Sequence, residues 1–528
     1  MTADTDNLPR VTYSNTGEDF SGVHAHLDAI MPDAEDRLLG KSRPAFVAGC
    51  DRSEGPIVVA RSPIDRDLIL GEFPQAAEAL VSDAVESARA AFPAWRDIGW
   101  PARVGLLRAG ADILEQRKWE VAVACLIEVG KSRMEAIGEV EEAIDLVRHY
   151  CAEMERADGF GEERPGASSA ERCSVVLRPY GAFAVIAPFN FPVALSIGMI
   201  SAALVAGNTV VFKPSDAAGL TGRLVVEALV DGGLPPGVLN LIFGGREAGE
   251  ALVRHPRVDG FAFTGSNAVG MSILRQSASP QAMRPVLAEM GGKNPAFVAG
   301  SANLSVAADG VARSAFGLSG QKCSALSKVY VQREVLDRFE ETLLAATGKL
   351  LVGDPRRREV FMGPVINAAA LDRFTAAACD SAADGTIIAG GEPLAGGLFD
   401  RGPYIAPTIV SGLASDHRIN RDELFLPFLS VLSFDNLDDA ITDANRASYG
   451  LTAGIYTQDK DELGRFLNTI EAGVLYANRA SGATTGAWPG FQTFCGWKGS
   501  GTTGKGGLGS WYVPQFMREQ SHTLFGSL

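Results

Sequence analysis

Cys323 lies in the stretch Gly317-Leu-Ser-Gly-Gln-Lys-Cys-Ser-Ala-Leu-Ser327, a single thiol among small residues. Gly320 permits close backbone approach and Lys322 is placed to lower the thiol pKa, as a nucleophilic cysteine requires. Taken alone, the stretch suits a buried structural cysteine as well. Asn190, in Pro188-Phe-Asn-Phe-Pro192, ends a strand-like run and can offer its amide N–H to an oxyanion, or cap the helix that follows. In Phe212-Lys-Pro-Ser-Asp216, Lys213 and Asp216 suit ribose hydroxyls; the plainer reading is a turn capped by Ser215 or Asp216. Phe263-Thr-Gly-Ser-Asn-Ala-Val-Gly270 runs from a strand into a helix, and the free N–H groups near Gly265 and Ser266 suit a pyrophosphate. Gly245, in "FGGREAG" at 243–249, sits in a second glycine-rich turn of this kind. Glu289-Met-Gly-Gly-Lys-Asn-Pro295 places a carboxylate after an apolar strand and before two glycines: a general base free to move, or a surface glutamate.

These residues stand at the ends of regular elements. From 183 to 290 apolar strand-like runs ("AFAVIAP", "NTVVFKP", "VLNLIF", "GFAFTG", "PVLAEMGG") alternate with helical stretches, the signature of a parallel α/β sheet covered on both faces. A second series ("PAFVAG", "SKVYVQ", "TIVSGL", "LSVLSF", "AGIYTQ") runs from about 291 to 480. Helical periodicity marks residues 77 to about 157, and a Gly/Pro/Ser-rich break follows at 159–169. "CSVVLRPYGAFAVIAP" reads as two β-rich runs parted by Pro179-Tyr180-Gly181, a hairpin at about 171–183. Residues 1–45 are polar and irregular and read as an arm. The tail ends in "GSWYVPQFMREQSHTLF", suited to an edge strand.

The 528 residues exceed one ordinary core, and 46% hydrophobic with 21% charged residues is a globular composition. A net charge of −15 argues against nucleic acid and anionic membranes as partners. Seven widely spaced cysteines without a CxxC argue against a disulfide framework or a zinc site, and no metal is expected. "MTADTDNLPR" is not a signal peptide, and Val193–Ala206 is too short and too interrupted for a bilayer span, so a buried helix and a cytoplasmic protein are expected.

The motifs "PFNFP", "VVFKPSD", "FTGSNAVG", "EMGGKNP", "GQKCS" and "ELFLPF", in this order, resemble the aldehyde dehydrogenase superfamily over about residues 50 to 520. The resemblance implies an α/β fold: a Rossmann-type NAD-binding domain (46–166 and 184–290), an α/β catalytic domain (291–504) and a small β oligomerisation flap (167–183 and 505–528). It implies that Cys323 attacks the aldehyde, that Asn190 and the Cys323 N–H hold the oxyanion, and that Glu289 activates the water that hydrolyses the thioester. Lys213, Ser215, Asp216, Gly245, Gly265 and Ser266 would bind the cofactor. The acid at 216 favours NAD over NADP, with NADP still permitted. Glu423 and Phe425 match the pair at the nicotinamide ribose, but Leu426 replaces the family's usual glycine, which implies a stiffer or bulkier loop.

A narrower resemblance joins "SGQKCSALSKVYV", "VGDP", "MGPVIN" and "LYANR…TGAWPGFQTFCGWKGSGTTGKGG" to the 1-pyrroline-5-carboxylate (L-glutamate γ-semialdehyde) dehydrogenase family of proline catabolism. It implies that Lys322 and Ser324 flank the substrate carboxylate, with Gly486 and Ala487 giving backbone N–H groups. Phe191 and Phe494 would clamp the chain, and Glu142 would line the site or remain an exposed helix glutamate. Three extra residues precede this anchor loop; Ser481-Gly482-Ala483 fits its spacing less well. Other semialdehyde acids, such as succinylglutamate or 2-oxoglutarate semialdehyde, and general aldehydes stay open as substrates. Glu289 argues against CoA-acylating relatives, and the presence of Cys323, Asn190 and Glu289 argues against a non-enzymatic scaffold. The partly apolar β-rich flap implies at least a homodimer.

Overall fold

The computed structural model describes residues 8–15, 18–278, 283–480 and 485–526. One seven-stranded sheet has the order Val286–Glu289, Gly260–Thr264, Ala182–Ile186, Thr209–Lys213, Leu239–Leu241, Ala45–Val47, Cys50–Arg52. The first five strands are parallel and the last two antiparallel. Ala182–Ile186, Thr209–Lys213 and Gly260–Thr264 are buried at nearly every position, so their apolar runs need no alternation. From Ala182–Ile186 the chain builds outward through 209–213 and 239–241. It then returns to lay 260–264 and 286–289 on the other side. Ile186 pairs with both Lys213 and Phe263, and Thr264 with Glu289. The carboxyl ends of these strands therefore line up at a topological switch point, where open α/β sheets take ligands.

The second seven-stranded sheet has the order Thr386–Ala389, Thr408–Ser411, Phe428–Phe434, Leu326–Gln332, Asn294–Val298, Thr452–Tyr456, Val474–Ala477. Only Thr386–Ala389 is antiparallel to its neighbour. The helix expected at 193–206 spans Ala194–Val205 and buries its two serines along with its apolar residues. Among the described residues no helix is long and apolar enough to cross a membrane.

Three expectations need correction. The irregular arm contains a helix, Ser21–Leu38, with Val23, Leu27, Met31, Ala34 and Leu38 buried along one stripe. Its polar residues face outward and mask that stripe. The break at 159–169 contains a strand, Gly161–Pro165, which pairs with Glu171–Pro179. The two runs of "CSVVLRPYGAFAVIAP" do not pair with each other. They part at Gly181, whose φ is +147° and where a Cβ would lie 2.0 Å from the Asp259 carboxylate. Ala182–Ile186 enters the large sheet, whereas Glu171–Pro179 sits between Gly161–Pro165 and Met517–Phe525 in a three-stranded antiparallel sheet.

Candidate active site

Cys323 precedes the strand Leu326–Gln332 on a turn in which Leu318, Ser319 and Gly320 all have positive φ, 47°, 55° and 67°. A Cβ on Gly320 would stand 2.1 Å from the Leu426 carbonyl oxygen, so only glycine lets the turn pack against the 423–427 loop. Leu426 itself is buried, and the left-handed residue of that loop is Phe425, at φ 58°. Asn294 Nδ2 donates to the carbonyls of Cys323 (2.7 Å) and Ala325 (2.9 Å), while its Oδ1 accepts from the Thr452 N–H (3.0 Å). This bracket on the nucleophile's loop lies inside the quoted "EMGGKNP", yet nothing in the sequence singles out Asn294.

Cys323 and Glu289 line one cavity of about 110 Å³. Burial pushes the thiol up to about 12, and the Glu423 and Glu289 carboxylates push the same way. The expectation that Lys322 lowers this pKa is therefore corrected. Lys322 Nζ lies 2.5 Å from the carboxylate of Glu135, a residue distant in sequence. Burial raises the Glu135 pKa, but Lys322, Lys131 and Ser132 together outweigh it and hold the acid below its usual range. Glu289 accepts a hydrogen bond from the Gly507 N–H (2.9 Å), and burial lifts it to about 7. Glu423 accepts from the Gly292 N–H (3.0 Å) and is also lifted to about 7 by burial. Phe425 meets Phe189 edge-on.

Phe191, Phe494, Ser324, Lys322, Ala487 and Glu142 line the same cavity. Glu142 is buried, not exposed; burial lifts it to about 8, and it accepts a hydrogen bond from Tyr13 (2.7 Å). The Ala487 N–H donates to Thr485 Oγ1 (3.1 Å). Gly486 and Asn190 are not among the lining residues. Gly486, at φ +66°, packs against the Arg479 side chain, and Asn190 is buried in its proline-flanked turn. Ser481-Gly482-Ala483 falls outside the described residues. Tyr13, Glu135 and Tyr150 also line the cavity, and sequence reasoning missed all three. No local motif surrounds them; helical periodicity alone marks 135 and 150 as helix positions.

A second group gathers at the strand ends of the first sheet. Lys213 Nζ donates to the carbonyls of Gly244 (2.6 Å) and Pro214 (3.0 Å) and lies 3.8 Å from Asp216. Burial lowers its pKa, offset in part by Asp216. Ser215 Oγ accepts from the Ala217 N–H, which is the capping role. A Cβ on Gly245 would stand 3.0 Å from Asp216 Oδ2. Ser266 caps the helix Asn267–Ser277, and the Gly265 N–H donates to the Glu289 backbone carbonyl (3.1 Å). Lys213 ends the strand Thr209–Lys213, and Gly245 and Ser266 follow Leu239–Leu241 and Gly260–Thr264, all at the carboxyl edge of the sheet.

Comparison with known proteins agrees with this geometry. The model of the aldehyde dehydrogenase family matches residues 51–521. A 1-pyrroline-5-carboxylate dehydrogenase of Bacillus mycoides is 35% identical over 476 residues, covering 89% of this chain and 90% of that protein. The structure of a Thermus 1-pyrroline-5-carboxylate dehydrogenase with bound NAD superposes with a TM-score of 0.91 at 32% identity, covering 98% and 99% of the two chains. That of proline utilization A from Bdellovibrio bacteriovorus, inactivated by N-propargylglycine, gives 0.90 at 32% identity, covering 96% of this chain and 52% of that one. With a thiol and a carboxylate sharing one cavity beside a sheet's switch point, the chain belongs to the aldehyde dehydrogenase family and is an oxidoreductase that acts on an aldehyde group.

Proposed function

We propose that the protein oxidises L-glutamate γ-semialdehyde, the hydrolysis product of 1-pyrroline-5-carboxylate, to glutamate, with NAD as acceptor. The carrying observation is a single cavity in which Cys323 and Glu289 stand beside the apolar rings of Phe191 and Phe494 and the hydroxyl of Ser324. The Cys323 thiolate adds to the carbonyl carbon, and the Cys323 N–H holds the oxyanion; Asn190, buried next to Phe191 but outside the cavity lining, would have to turn inward to give the second donor. Bound NAD would supply the hydride acceptor for that carbon, so that Cys323 would be left carrying a thioester. Glu289, ionising near neutral pH, then takes a proton from water; the water attacks the thioester, and the thiol and a carboxylic acid leave.

The residues fit a dinucleotide. The Gly244-Gly245 turn has no side chain to fill it, the helix at Ser266 offers free N–H groups, and Lys213 and Asp216 lie beside both. The Asp216 carboxylate would repel a 2′-phosphate, which favours NAD over NADP. Residues 46–166 and 184–290 would form the cofactor domain, and 291–504 the catalytic one. Substrate selection follows from polar pairing: Lys322 and Ala487 are engaged with Glu135 and Thr485, and a substrate carboxylate would exchange with those partners. A simple alkanal makes no such exchange: Lys322 and Ala487 keep their present partners, and the alkanal gains none of the binding that a carboxylate adds.

The test is steady-state NADH formation with glutamate semialdehyde and propanal, on the wild type and on Ser324→Ala. The wild type should favour the semialdehyde in kcat/KM, and the variant should lose about tenfold of that preference. Equal kcat/KM on the wild type would leave only a general aldehyde dehydrogenase. Preference for a longer or N-acylated semialdehyde would move the assignment to another semialdehyde acid.

A further inference from the structure

Two cavities share a wall. The one holding Cys323 and a second of about 300 Å³ are both lined by Tyr13, Glu135 and Lys322. Tyr13 belongs to residues 8–15, outside the span 51–521 that the family model matches. It is nevertheless fixed. The residue is 9% exposed, and its hydroxyl donates to Glu142 Oε2 at 2.7 Å. Its ring stands edge-on to Phe191 (6.2 Å, 87°) and to Trp488 (5.4 Å, 75°). Upstream, Arg10 pairs with Glu141 and Asp145, each at 3.0 Å, and Val11 is fully buried. Gly138 makes room on the helix Arg133–Arg156, since a Cβ there would already touch the Tyr13 ring at 3.4 Å.

We propose that Tyr13 is the end wall of the aldehyde cavity and sets the longest chain admitted. The phenol ring meets Phe191 on the Cys323 side and faces the larger cavity on the other. The ring stands in the shared wall beside the Glu135–Lys322 ion pair, and removing it would open the wall on the Tyr13 side. An aldehyde too long for about 110 Å³ would then run on into the 300 Å³ space, with its carbonyl still at Cys323. The ring supplies the wall, and its edge-on packing against Phe191 and Trp488 holds it in place. Tyr13 is thus a specificity-determining residue contributed by the N-terminal segment. This rests on the reading that Cys323 receives the aldehyde in this cavity.

The probes are propanal, pentanal and octanal, assayed by NADH formation on full-length wild type, Tyr13→Phe, Tyr13→Leu and Tyr13→Ala. The kcat/KM of octanal relative to propanal should rise about tenfold or more in Tyr13→Leu and Tyr13→Ala, and stay within about twofold of wild type in Tyr13→Phe. An unchanged ratio in Tyr13→Leu overturns the proposal, even where Tyr13→Ala fails to fold. A rise in Tyr13→Phe equal to that in Tyr13→Ala also overturns it, because the hydroxyl and not the ring would then set the limit. Aldehyde oxidation retained by Cys323→Ser would sink the underlying site instead, independently of these ratios.

Discussion

At the scale of single residues, the cavity holds its thiol in the neutral form. Burial and two carboxylates lift Cys323 to about 12, so the thiolate fraction of the free protein grows through the whole range from neutral to alkaline pH. Inactivation by iodoacetamide should therefore accelerate roughly tenfold per pH unit well past neutrality, with no plateau near pH 7–8. A plateau there would mean a thiol activated in the free state. Cys50 and Cys379 are exposed and will be labelled too, so the readout is loss of activity. Cys323 and Glu289 stand out in the sequence because each sits in a short motif with its own backbone requirements, and the fold brings both to one cavity. Lys322 was misread for the same reason. Adjacency in sequence suggested thiol activation, whereas the ammonium turns to Glu135 on a distant helix. Tyr13 had no local signal at all: its meaning comes from Glu142, Phe191 and Trp488, which only the fold brings to it.

At the scale of elements, the helix Ala194–Val205 carries one wall of the cavity and depends on a buried acid at its start. Glu139 Oε1 accepts from the N–H groups of Val193 (2.7 Å) and Ala194 (3.1 Å), where the helix dipole favours an anion. Its other oxygen pairs with Lys131, and both side chains are wholly buried. Lys131 Nζ in turn lies 3.5 Å over the Phe191 ring. Glu139→Ala would leave a buried ammonium without its partner and two helix N–H groups without an acceptor. It should cost about 3–5 kcal/mol in urea unfolding, while Glu139→Gln, which keeps an acceptor for the N–H groups, should cost less. An alanine variant as stable as wild type would remove the clamp from the account. Periodicity placed "MEAIGEVEEAIDLVRHYCAEMERA" on a helix correctly. It could not show that Glu139, Glu141 and Glu142 all point inward. Charged residues on a helix normally mark its solvent face, and here partners from three other segments, Lys131, Lys118 with Arg10, and Tyr13, take them in.

At the scale of the whole molecule, the alternation of apolar runs announced both large sheets, because parallel strands buried on two faces leave a continuous hydrophobic signal. The small sheet was less legible. Its strands come from 161–179 and from the far end of the chain, Met517–Phe525, and long-range antiparallel pairing leaves no trace in local composition. This sheet also carries the last expectation. Met517–Phe525 pairs with Glu171–Pro179 over nine positions, and Gly161–Pro165 is exposed throughout. Leu524 and Phe525 are 43% and 67% exposed. Three strands with little core of their own are marginal in water, and both outer strands present free backbone edges. A second copy related by a two-fold axis would cover apolar side chains and edges together. Light scattering at micromolar concentration should then report at least twice the 55.7 kDa of one chain, and replacing Leu524 and Phe525 together by glutamate should shift the population toward monomer. A wild-type monomer under those conditions would mean that the flap is stable uncovered, and the exposed Leu524 and Phe525 would need another explanation.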